Sequence, residues 1–149
     1  FMFTGEEIFR DKKGVHNSYC SPDEINAIDW SLKHSNREQF DYYRNLIQLR
    51  KSHPAFRLAT AELVNNHLQF IEGTPEQVVA YTLNGHAGGD EWEQIVVAFN
   101  GSDKAADITI PEGQWKVIAH DATIDLEGKN TIEGSHATVA PSAALILAR

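Results

Sequence analysis

After Pro54 the period of the chain becomes strand-like, apolar and polar side chains alternating so that one face of a strand turns inward and the other outward. The pattern predicts seven short strands, over 68–71, 78–83, 95–99, 106–110, 115–119, 136–139 and 143–147. Turn-forming pairs separate them: Glu72-Gly73, Asn84-Gly85, Asn100-Gly101, Glu112-Gly113, Glu127-Gly128 and Glu133-Gly134. Asn100-Gly101 reads as the clearest tight hairpin, because such a turn needs positive φ, which Asn and Gly tolerate. Short strands at this spacing predict an antiparallel sandwich or closed barrel rather than a parallel sheet.

Upstream the period is helical. Phe40, Tyr43 and Ile47, with Leu46 and Leu49, recur on one face, and Ser35-Asn36-Arg37-Glu38 has the form of a capping box, so a helix is predicted over 36–52. Arg50 and Lys51 suit the negative end of its dipole, and Pro54 forbids continuation. Residues 1–7 read as a short apolar strand, and 8–34 as a long polar loop punctuated by Gly14 and Pro22. Loops beyond ~12–15 residues inside compact domains are usually functional or disordered, so this one is the first place to seek a site. The opening Phe1-Met2-Phe3 has no initiator Met and no basic leader region, and reads as a cut through an element of a longer protein.

Composition narrows the class of partner. The 149 residues are 42% hydrophobic and 23% charged, the make-up of a globular chain, and the longest apolar runs fall far short of the ~20 residues of a membrane span. No membrane partner is expected. Lys and Arg total 13 against 21 Asp and Glu, and residues 56–149 hold 5 of the former and 13 of the latter, so the whole net charge of -8 sits there. So acidic a surface disfavours nucleic acid, whose recognition depends on clustered Lys and Arg. Cys20 is alone and cannot form an internal disulfide. The seven His lack zinc spacing, and Asp90, Glu91 and Glu93 read as a solvated turn rather than a calcium loop, so neither metal nor cofactor is expected.

The segment 1–57 carries a more specific signal. Gly5-Glu6-Glu7, Arg10-Asp11-Lys12-Lys13-Gly14, Asn17-Ser18-Tyr19 and Asn26-Ala27-Ile28-Asp29-Trp30 together resemble the end of the catalytic barrel of type I pullulanases, starch-debranching members of the α-amylase superfamily of glycoside hydrolases. The resemblance continues through Phe40-Asp41-Tyr42-Tyr43, Leu49-Arg50-Lys51 and His53-Pro54-Ala55-Phe56-Arg57. The chain departs from that pattern at Phe3, Asp11 and Val15, where many relatives have Gln, Thr and Asn.

The resemblance implies a mainly β chain. A C-terminal antiparallel β-sandwich, 58–149, would follow a barrel remnant, 1–57, made of the last strand (1–7), long loop (8–34) and last helix (36–52) of a (β/α)8 barrel. It also implies a parent enzyme that cleaves α-1,6-glucosidic branch links in pullulan, starch or branched dextrins, with an extracellular or cell-envelope location plausible for a polysaccharide substrate. The partners would be the α-glucan and the missing barrel of the same chain. Loops after barrel strands build the active-site face, which would set the loop beside bound glucan. Asn17 and Tyr19, then Arg10 and His16, are the candidate sugar contacts: an amide that donates and accepts, a flat ring with a hydroxyl, a multiple donor and an imidazole.

No catalytic residue is expected within this chain. Retaining glycoside hydrolysis needs two carboxyl groups about 5–5.5 Å apart, and Glu6 and Glu7, as neighbours on a strand, would point to opposite faces. They read as support for the loop, and the resemblance places the nucleophile, acid/base and third carboxylate upstream. Trp30 reads as a packing anchor and Trp115, alternating with Val117, as core, while Trp92 stays open. The alternative is a non-catalytic carbohydrate-binding or purely structural sandwich, in which Trp92 would be the sugar platform.

Overall fold

The computed structural model describes residues 2–149, which form two compact units, one ending at Asn45 and the other Leu46–Arg149. The first unit contains two single-turn helices, α1 (Asp23–Asn26) and α2 (Leu32–Ser35), and the start of a long helix, α3 (Arg37–Ser52). The helix predicted over 36–52 is therefore present. Its start differs: Ser35 lies within α2, and its hydroxyl donates to Leu32 O at 3.3 Å, so the capping box does not form.

In place of the strand expected over 1–7 the chain makes a turn and a 3-10 helix, Glu6–Ile8; Phe1 lies outside the described residues. A lone strand must find ladder partners for its N–H and C=O groups, and here local bonds satisfy them instead. Ile8 N donates to Gly5 O, and Arg10 N closes on the same carbonyl at 2.8 Å. Gly5 is required there, with φ +99° and with Arg10 Cβ only 2.7 Å from where its own Cβ would stand.

The second unit opens on the C-terminal turns of α3. Arg57 closes that end: its Nε donates to Arg50 O at 2.8 Å and its Nη2 to Lys51 O at 3.1 Å, satisfying carbonyls that the helix leaves without partners. A 3-10 turn, Pro54–Arg57, and a helix the strand pattern masked, α4 (Ala61–His67), come next. The Thr60 hydroxyl caps α4 by accepting from Leu63 N at 3.2 Å.

Seven strands follow: β1 (Leu68–Phe70), β2 (Val78–Asn84), β3 (Gln94–Asn100), β4 (Ala106–Asp121), β5 (Thr123–Ile124), β6 (Thr131–Val139) and β7 (Ala143–Ala148). All pairings are antiparallel, in the order β1-β2-β3-β7-β4-β5, with β6 on β4. The expected strands over 106–110 and 115–119 are one continuous strand, and Glu112-Gly113 marks an irregularity inside it rather than a turn. Pro111 cannot donate to a ladder, so register shifts between Thr109 and Gly113 while pairing to β6 resumes. Likewise Glu133-Gly134 lies inside β6.

Because β4 pairs with β6 over its first part and with β7 over its last, one sheet doubles into two layers. Val78, Ala80, Val96, Ala98, Leu145 and Leu147 of β2, β3 and β7 bury against β4 and β6. Trp115 is fully buried among them, as its alternation with Val117 predicts, and its Nε1 donates to Pro111 O at 3.0 Å. The sandwich-like antiparallel architecture is thus present. Asn100-Gly101 does not make the expected hairpin, since β3 pairs with β2 and β7 and not with β4. Asn100 is instead buried, its amide donating to Lys104 O, Val139 O and Ala140 O while its Oδ1 accepts from Ser102 N. That network competes with a two-residue turn and ties the end of β3 to the end of β6.

Candidate functional site

In the first unit the loop is held from within by its basic side chains. Arg10 donates to Thr4 O at 3.4 Å and, through Nη2, to Asn26 O. Lys12 Nζ donates to Ser18 Oγ and to Asn26 Oδ1 at 3.0 Å, and Asn26 Nδ2 reaches Ser18 O and Ser21 O at 2.8 Å each. Asn26 thereby gathers positions spread over the expected loop, and Lys12 and Arg10 both pass over the Phe3 ring at about 5.5 Å.

This scaffold presents the candidate sugar contacts differently. Asn17 Oδ1 accepts from Tyr19 N at 3.2 Å, a local turn that projects Tyr19, which is 89% exposed. His16 is exposed beside them, so His16, Asn17 and Tyr19 form an outward-facing group, whereas Arg10 is committed to the loop interior. Glu7 also supports the loop, its carboxylate accepting from Gly5 N at 3.0 Å, while Glu6 faces solvent. Trp30 is 59% exposed and not the anchor expected, because Asp29 turns the backbone there through Ser31 Oγ and Ser31 N. Those two hydrogen bonds hold the Asp29 carboxyl below its ordinary pKa, keeping it an ionised turn-former.

The second unit contains a buried polar cluster that the sequence did not single out. Asp90 was expected in a solvated turn, but it is buried: Oδ1 meets His53 Nδ1 at 2.9 Å and accepts from Trp92 N at 3.0 Å, and Oδ2 accepts from Ala55 N at 3.1 Å. The imidazole stacks on Trp92 with ring centroids 3.4 Å apart. One face of Trp92 is thus occupied by His53 and unavailable as a sugar platform. The cluster joins the turn after α3 to the loop before β3, and its signal in sequence is only a His-Pro pair and an Asp two residues before a Trp. Among the described residues no group of three or more His, Cys, Asp and Glu is placed to hold a metal.

Residues 64–123 match the family model described as "Pullulanase, all-beta domain". The pullulanase of Bacillus subtilis (strain 168) is 40% identical over 111 residues, which cover 74% of this chain and 15% of that protein. The solved structure of pullulanase from Bacillus acidopullulyticus superposes with a TM-score of 0.92 at 34% identity, covering 97% of this chain and 18% of its own. That of the pullulanase from Anoxybacillus sp. LM18-11 complexed with maltotetraose gives a TM-score of 0.87 at 37% identity, covering 100% of this chain and 21% of its own. The chain spans about a fifth or less of the length of these three relatives.

Proposed function

We infer that this chain, which belongs with the type I pullulanases by sequence and fold, serves as the supporting and substrate-contacting part of a retaining hydrolase of α-1,6-glucosidic branch links in pullulan, starch or branched dextrins. The observation that carries this reading is the extent of the likeness. Pullulanase structures match the first unit as well as the β domain, covering 97% of the chain or more. A free-standing binding module would give no reason for its leading 45 residues to share that likeness.

In this reading residues 1–57 complete the catalytic barrel and 58–149 form the β domain that follows it. The nucleophile and acid/base carboxylates belong to the rest of the parent, where the reaction proceeds through a covalent glycosyl-enzyme. Asn17 and Tyr19 contribute contacts to the glucan: the exposed phenol offers a flat face to a glucose ring and a hydroxyl to its neighbours. His16 adjoins them, and Arg10 acts by holding the loop that carries all three. The relative crystallised with maltotetraose supports an α-glucan as the ligand.

The test is a chimera in which residues 1–149 replace the corresponding segment of the Bacillus subtilis pullulanase. It is expected to release reducing ends from pullulan, with Tyr19→Ala raising KM several-fold and leaving kcat nearly unchanged. A folded chimera without activity on pullulan would overturn the reading.

A further inference from the structure

We propose that the cleft between β1 and the irregular middle of β4 is a second glucan-binding site that takes a short neutral maltooligosaccharide; the choice of glucan rests on the function proposed above. The cleft has a volume of 720 Å³, inside the ~300–1,000 Å³ range of small-molecule sites. It lies wholly within the second unit.

Its chemistry departs from the sheet that forms it. Along the inward face of β2 and β3 the side chains are apolar at Val78, Ala80, Val96 and Ala98, and then become Thr82, Asn84 and Gln94 on that same face. Pairing sets Gln69 of β1 opposite Thr82, and Asn84 opposite Gln94. Gln94 Nε2 donates to Asn84 Oδ1 at 2.6 Å, and Asn84 Nδ2 to Thr82 Oγ1 at 2.9 Å. Arg149 Nη2 donates to Gln94 Oε1 at 2.5 Å and fixes its orientation. These amides are pre-ordered, which lowers the entropic cost of binding.

One further side chain completes the polar lining. The Gln69 amide, exposed at the edge strand β1 and opposite Thr82, also lines the cleft. Ile71, Ile110 and Pro111 add apolar surface. Amides and hydroxyls donate and accept at once, as sugar hydroxyls do, and the apolar strip suits the C–H face of a pyranose. The charged groups are few. Glu72 is exposed at the lining, and the Arg149 guanidinium is already engaged by Glu112 O and Gln94. Among the described residues lining the cleft Glu72 is the one charged side chain, so the lining is predominantly neutral.

The test titrates ¹⁵N-labelled 1–149 with maltotetraose and follows the side-chain amides of Gln69, Asn84 and Gln94. Saturable shifts of these three are expected, with Gln69→Ala weakening binding about fivefold, the worth of one hydrogen bond. Asp103→Ala, which does not line the cleft, is expected to leave the affinity unchanged, and cellotetraose is expected to bind far more weakly. Unmoved cleft amides, an affinity indifferent to Gln69→Ala, or equal binding of cellotetraose would overturn the proposal. If the chimera cleaves pullulan while the cleft amides stay unmoved, only this proposal fails. If the cleft binds maltotetraose and the folded chimera is inert, it is the debranching reading that fails.

Discussion

The imidazole of His53 lies flat against the indole of Trp92, the ring planes only 11° from parallel, while its Nδ1 is held by Asp90. The contact joins residues 39 positions apart in the chain and fixes the path of the backbone from α3 into the β domain. Asp90 is its centre, because one carboxylate serves a side chain and two backbone N–H groups.

Asp90→Ala is therefore expected to cost about 2–4 kcal/mol, since Ala55 N, Trp92 N and His53 lose their acceptor in a buried place. Asp90→Asn keeps an acceptor oxygen and is expected to cost less. Urea unfolding followed by tryptophan fluorescence measures both. A loss under about 0.5 kcal/mol for the alanine variant would mean that the cluster is incidental.

Gly113 and Arg149 are expected to be energetically coupled. A Cβ on Gly113 would lie 2.1 Å from Arg149 Nη1, in the place where the guanidinium donates to Glu112 O at 2.9 Å and covers the Trp115 ring at 4.4 Å. Gly113→Ala is expected to cost about 1–2 kcal/mol by expelling the guanidinium. In the Arg149→Ala background the same change is expected to cost at least about 0.5 kcal/mol less. Strict additivity in the double-mutant cycle would contradict the packing described.

The strand pattern made most of the β domain legible, and its misreadings share a cause. Pro111-Glu112-Gly113 and Glu133-Gly134 have the residue types of turns, yet a partner strand continued the ladder past both. Local turn propensity yields where tertiary pairing satisfies the backbone on either side. The stretch 1–7 failed in the opposite direction, its apolar residues finding no ladder and folding on local bonds. Of the loop residues, Tyr19 is projected outward by an Asn two positions earlier. The guanidinium of Arg10 is turned inward by Asn26, sixteen residues away, a relationship that spacing does not reveal. The Asp90 cluster was hidden for the same reason.

Asp125 should titrate below the ordinary Asp value of about 3.9. The Lys129 backbone N–H, at 2.8 Å, lowers it most; desolvation opposes it, and the Glu127 N–H adds to the lowering. A depressed folded-state pKa contributes stability that is present above about pH 4 and lost as pH falls through the folded value. Carboxyl NMR titration is expected to place the midpoint below the reference, and Asp125→Asn to remove that part of the acid dependence. A midpoint at or above the reference would show that the turn 125–129 does not form in solution.

Incubation of purified 1–149 with pullulan bears most directly on the central claim that this chain supports and contacts substrate but holds no catalytic carboxylates. The expected result is no release of reducing ends above buffer. Sustained release that disappears in Glu6→Gln or Glu7→Gln would contradict it, by placing the reacting carboxylates inside this chain.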